Sequence, residues 1–152
     1  MLCQIDEPHA VIAIDELARG VLPGGSTDFN RSLAVRNLGL VWASFAAAGV
    51  RRLVLERIVQ TVGDVAALRD ALPDCEIVVC RVNASAATIA PRIAGREPGS
   101  AREFLTRVSP EIAACLDRLD LGGFTVDNDG DVSVTALAHR VLAQIGWPRP
   151  VS

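Results

Sequence analysis

The chain has 152 residues, half of them apolar, with a formal net charge of −3. That length and apolar content are enough for one globular α/β domain over residues 1–152 with a conventional core. All fifteen basic side chains are arginine and lie interspersed with Asp and Glu, which argues against a surface for nucleic acid or an anionic membrane and leaves small molecules or proteins as expected partners.

Apolar stretches such as 41–50 and 75–80 stop well short of the ~20 residues that span a bilayer. The first seven residues have no basic or apolar region of a signal peptide, so a cytoplasmic location is expected. Cysteines stand at 3, 75, 80 and 115 without a C-x-x-C pair, and only two histidines occur, so no zinc site can be written. These cysteines read as reduced core residues. Tyrosine is absent and aromatics are few, which disfavours a base-stacking surface. Richness in Ala, Arg, Val and Gly without Lys points to a GC-rich bacterial genome.

Strand-length apolar runs alternate with helical patterns, as in a parallel sheet covered by helices. Residues 9–14 form the first strand, ending at Asp15 and Glu16. A Pro/Gly-rich loop over 21–26 follows, and a helix capped by Asp28 runs to about Ala48, with Leu38, Val41, Trp42 and Phe45 on one face and Gly49 as its stop. Residues 52–59 are mostly apolar and read as a central second strand. Asp64 caps a short helix that ends before Pro73.

Residues 76–82 form the third strand. Ser85 caps the next helix, which Pro91 must bend or shorten. After the break at Glu97-Pro98-Gly99, Ser100 and Glu103 have the spacing of a capping box, and Pro110 interrupts the helix that they open. Residues 123–126 form the last strand, 127–130 a turn, and 133–145 a final helix stopped by Gly146. His139 falls inside that helix and His9 opens the first strand, which gives no Ser-His-Asp arrangement.

In a parallel sheet the site lies at the carboxyl edge. The residues there are Asp15, Glu16, Glu56, Arg57, Asn83, Asp127 and Asn128.

Several runs in this order resemble the small bacterial kinase-like ATPases of the P-loop superfamily, relatives of shikimate, gluconate and adenylylsulfate kinases and of chloramphenicol phosphotransferase. They are His9 to Leu17, Arg36-Asn37-Leu38, Ala48 to Leu55, Cys80 to Ser85 with Arg92 and Arg96, and Val126-Asp127-Asn128-Asp129-Gly130. The resemblance covers the chain from His9 to Trp147 and rests on order and spacing. It implies a three-layer fold with about four parallel strands, and the first strand and phosphate-binding loop of the family are missing from these residues.

With no lysine anywhere, nothing can serve as the ammonium group of that loop. Pro23-Gly24-Gly25-Ser26-Thr27 is the only glycine-rich candidate, and it lacks the first glycine, the lysine and a preceding strand. A truncated or wrongly started kinase, or a degenerate one kept for its acceptor pocket or for protein interaction, both fit this pattern.

The resemblance implies ATP and Mg2+ as cofactors and a small-molecule acceptor as partner, with tight nucleotide binding not expected of these residues alone. It gives Asp15 the position that orients the acceptor hydroxyl or takes its proton, although Asp15 or Glu16 equally suits a cap. Arg36 occupies a position that can clamp an acceptor carboxylate or phosphate, or can be a solvated helix charge. Arg92 and Arg96, four apart on one helix face, fall with Arg102 and Arg107 in the lid region, where Glu97 and Glu103 can pair with them. Asp127 and Asn128 match the loop that borders adenine. Glu56 and Arg57 stand near the magnesium-binding strand end, where family members carry small residues. Strand edges rich in Val and Ile, left open by the missing strand, invite self-association.

Overall fold

The structure, a computed structural model, describes residues 7–20, 23, 30–130 and 132–147. The glycine-rich segment 24–27 and the expected cap Asp28 lie outside these residues, as does most of the 21–26 loop. The chain divides between Ile77 and Val78 into two compact units.

The first unit contains β1 (His9–Ala13), a 3₁₀ helix (Ile14–Ala18), α1 (Arg31–Ala47), β2 (Arg52–Glu56) and α2 (Val62–Ala71). β1 and β2 run parallel with His9 abreast of Arg52 and Ala13 abreast of Glu56. β2 is shorter than its apolar run of eight because β1 offers only five residues before the chain tightens into the 3₁₀ helix. Period-two alternation places Ala10 and Ile12 of β1 inward and leaves Val11 exposed.

α1 is capped by the Asn30 side chain, which accepts from the Leu33 N–H at 2.8 Å, and its last turn gives way to Gly49 at φ 91°. α2 is capped by Thr61, and Asp64 is the acidic third residue of that capping box rather than the cap. Ile12, Ile14, Ala34, Leu38, Leu68 and Leu72 form one buried cluster, with Trp42 and Val41 packed against it. Ile14 and Leu38 are fully enclosed, each worth about 2 kcal/mol of apolar burial.

The second unit contains β3 (Cys80–Asn83), α3 (Ala86–Arg96), α4 (Gly99–Asp117), β4 (Phe124–Asp127) and α5 (Val134–Gln144). β3 and β4 are parallel, Cys80 abreast of Phe124 and Asn83 abreast of Asp127. The third strand was expected from residue 76. Its ladder starts only at Cys80 because β4 is four residues long and Gly123, just before it, lies against the Val79 carbonyl. A Cβ on Gly123 would stand 1.8 Å from that oxygen.

α4 continues unbroken past Pro110, contrary to the expected interruption, and α3 runs on past Pro91 to Arg96. Both prolines are exposed, as are Ala87 and Thr106 one turn earlier, so water can serve the carbonyls that the rings leave without an N–H. α4 starts at Gly99, which puts Ser100 inside the helix, and no side chain caps it; the Ser100/Glu103 box does not form. Only Ile93, Val126 and Leu142 of this unit are buried apolar side chains among the described residues.

The architecture is therefore mixed α/β, with five α-helices and two two-stranded parallel sheets among the described residues. β2, expected to be central, has a ladder with β1 only. No helix there is long and apolar enough to cross a membrane.

Candidate functional site

In the first unit the sheet register sets the site. Because Ala13 pairs with Glu56, the chains leaving β1 and β2 emerge side by side, which brings Asp15 and Arg57 together at the carboxyl edge. Arg57 Nη1 lies 3.9 Å from Asp15 Oδ1; the arginine side chain is 7% exposed and the aspartate 71%. A buried guanidinium thus faces a carboxylate that points to solvent. Arginine is seldom buried without a charge to oppose it, so the pair is a built feature of this edge.

Asp15 stands in the first turn of the 3₁₀ helix, and Asn37 of α1 fixes that helix by donating from Nδ2 to the Leu17 carbonyl at 2.7 Å. Glu16 turns away, accepting from Arg19 Nη2 at 2.6 Å. Glu56 is exposed at the end of β2.

Arg36 lies elsewhere. One residue before Asn37, it points about 100° away around α1, toward α2, where it lines an open recess with Val35, Gly39 and Asp70. Asp15 is not among the residues of that recess, so the two expected acceptor contacts do not share it.

Beside the recess sits the most buried carboxylate described, Asp64. Its Oδ2 accepts from the N–H groups of Gln60 and Thr61, both at 2.9 Å, and its Oδ1 from Arg31 Nη1 at 2.6 Å. Burial favours its neutral form, but the Gln60 N–H, the Thr61 side chain and the Arg31 charge outweigh it and hold the carboxyl below its usual range. All of its partners are intramolecular, which makes it a structural member of the capping box of α2 and not a ligand.

In the second unit, the carboxyl edge of β3–β4 gathers Asn83, Asp127, Asn128 and Asp129. Asn83 Nδ2 donates to Asp127 Oδ1 at 3.3 Å, and the Asn128 N–H donates to the Asn83 carbonyl at 2.7 Å. Asp129 Oδ1 accepts from the Ser85 N–H at 2.8 Å and from Ser85 Oγ at 2.9 Å. Ser85 is the N-cap residue of α3, but its hydroxyl serves Asp129 rather than the helix. Hydrogen bonds from Thr88 and Ser85, with Arg92 nearby, lower the Asp129 carboxyl from its usual value. Asp129 therefore sits at the positive end of α3, where a bound anion would otherwise find its donors.

Of the expected nucleotide contacts, Arg92, Asp127 and Asn128 come to this edge. Arg96 does not: it ends α3, roughly 15 Å along the axis from Ala86, and its Nε donates to Glu97 Oε1 at 2.7 Å. Arg102 Nε donates to the Glu97 carbonyl at 2.9 Å, and the Arg107 guanidinium stacks 5.5 Å from the Phe104 ring centre. These lid-region arginines make their contacts within the α3–α4 region.

Burial pushes the Cys80 thiol up, away from nucleophilic use. Cys75, Cys80 and Cys115 are half-buried. Among the described residues no three His, Cys, Asp or Glu side chains converge on a metal position. His9 Nδ1 bonds the Glu7 carbonyl at 2.8 Å and His139 is exposed on α5.

Sequence reasoning missed two residues. Arg57 was read only as an odd strand end, and its apolar surroundings in the 52–59 run were the signal that its side chain could be buried. Asp129 was read as part of an ordinary turn; the Asp-Asn-Asp-Gly string gives no hint that one carboxylate reaches back over forty residues to α3. Neither a family model, nor a curated protein, nor a solved structure matches this chain.

Proposed function

We propose that these residues form a kinase-like α/β protein that keeps an acceptor site for a small hydroxylated molecule but has no triphosphate cradle of its own. The observation that carries this reading is the Asp15–Arg57 pair at the carboxyl edge of β1–β2. The guanidinium opposes the carboxylate's charge at 3.9 Å, and the exposed carboxylate is open to accept a hydrogen bond from a ligand hydroxyl. In a phosphoryl-transfer reaction the same oxygen would take the proton of the attacking hydroxyl. The full three-layer kinase arrangement belongs to this proposal, as do a bacterial, cytoplasmic setting and a relation to ATP- and Mg2+-dependent transferases.

Between catalysis and binding without chemistry, two features favour binding. No lysine occurs in the chain, and the N-terminus of α3, which follows the end of β3, is occupied by Asp129. Phosphoryl transfer is mostly positioning and charge stabilisation, so a missing phosphate seat removes the donor site rather than trimming a rate.

The test is a pair of titrations. Calorimetry with ATP–Mg2+ should give no saturable binding tighter than about 1 mM. A panel of polyols and hydroxy acids, followed by amide NMR, should contain members that shift residues 14–17 and 56–58 in the wild type and not in Asp15→Asn. Tight ATP–Mg2+ binding would restore the catalytic version. A panel without effect on those amides would remove the acceptor site.

A further inference from the structure

The close approach of α1 and α2 depends on small residues. A Cβ on Gly39 would stand 3.1 Å from the Ala71 carbonyl oxygen, so the two backbones come nearer than a larger residue would easily allow. Ala67 and Ala71 on α2 add little bulk. The missing side-chain volume leaves an open recess of about 440 Å³ beside the contact, within the size range of small-ligand sites.

Its lining is mostly apolar, with Val35, Gly39, Ala67 and Ala71, and also includes Arg36 from α1 and Asp70 from α2. Arg31, at one end, is already engaged by Asp64. Arg36 and Asp70, by contrast, make no hydrogen bond or ion pair among the described residues. Two opposite charges thus share a mostly apolar recess without pairing with each other.

We propose that this recess binds a small zwitterion, an α-amino acid with an aliphatic side chain. Its carboxylate meets the Arg36 guanidinium, its ammonium meets the Asp70 carboxylate, and its side chain covers the Val35–Ala67–Ala71 lining. The charges select for the pair. A plain carboxylate gains Arg36 but is repelled by Asp70, and a plain amine gains Asp70 but is repelled by Arg36. The site is separate from the Asp15–Arg57 edge and does not depend on the reading given to that edge.

The experiment is an amide NMR titration of the full chain with L-leucine, isocaproate and isoamylamine, the last two each lacking one charge. Leucine is expected to give saturable shifts confined to residues 31–39 and 67–71. Each one-charge analogue should bind at least about tenfold more weakly, the equivalent of one charge-assisted hydrogen bond. Arg36→Gln and Asp70→Asn, both surface changes, should weaken leucine by a similar factor and leave the thermal midpoint unchanged. The proposal is overturned if leucine gives no saturable shift up to about 20 mM, a weak-binding limit for so few contacts. It is equally overturned if isocaproate or isoamylamine matches leucine, or if the two variants bind leucine like the wild type.

Discussion

The two units are built to one plan and packed to different depths. Each has a parallel two-stranded ladder, helices joining its strands, and a carboxylate that holds the start of a helix: Asp64 at α2 in the first, Asp129 at α3 in the second. In the first unit the buried side chains touch one another in a single cluster, and the carboxylate is sealed beneath Arg31. In the second, buried apolar side chains are few, the nineteen residues of α4 include none, and Phe104 is 53% exposed. A two-stranded ladder is marginal without packing. The first unit therefore gains its stability from its core, and the second relies more on hydrogen bonds at strand ends and helix starts.

Cavity formation tests this contrast most strongly. Leu38→Ala should cost about 4 kcal/mol, the upper part of the range for a fully enclosed leucine, whereas Leu142→Ala should cost about 2 kcal/mol because its thinner surroundings collapse more easily. Denaturant unfolding with a probe in each unit would measure both; equal losses would erase the distinction. Amide exchange should agree with it, being slowest at residues around Leu38 and faster throughout 78–147.

Gly123→Ala should cost about 2–3 kcal/mol, since the new methyl collides with the Val79 carbonyl and pushes β4 off β3. Circular dichroism melting reads the loss, and Gly122→Ala, next door and without a steric neighbour but at φ 69°, supplies the control for backbone strain alone.

Asp64→Ala should cost about 2 kcal/mol, because two backbone N–H groups and the Arg31 guanidinium lose their acceptor. The pH dependence has a definite sign. The folded carboxyl has the lower pKa, so the unfolded chain takes up the proton first on acidification. The stabilisation is complete above the unfolded value near ~4 and is lost as pH falls through the folded value. Asp64→Asn should flatten that acid slope in a urea series run at decreasing pH.

Asp129→Asn should have the smallest effect. It bears on an exposed contact, and the change should be confined to faster amide exchange in the first turn of α3, with no change near Leu38. A global loss of stability would mean that the exposed carboxylate supports more of the second unit than its start of helix.

Much of the local structure was legible in the residues. The apolar runs locate the four strands among the described residues, and Gly49 and Gly146 stop α1 and α5. The ends were less legible because strand length is a property of the pair. Residues 57–59 and 76–79 have strand composition, yet neither segment extends its ladder. Proline does not interrupt the helix at 110, since solvent can replace a lost hydrogen bond on an exposed helix face. For the candidate site, the place of Asp15 at a strand end is legible in the sequence and its nearness to Arg57 is not, because only the β1–β2 register puts one beside the other.

What the sequence determined by itself is the alternation of strands and helices, the absence of an ammonium side chain for a phosphate loop, and the identity of the polar residues at strand ends. These follow from local periodicity, backbone stereochemistry and composition, none of which needs a distant contact. Only the tertiary structure decided that buried Arg57 stands 3.9 Å from Asp15, that Arg36 and Asp70 line one recess, and that Asp129 seats on α3. Each of these joins residues far apart in the chain, and which charges meet there depends on strand register and on how closely helices can approach.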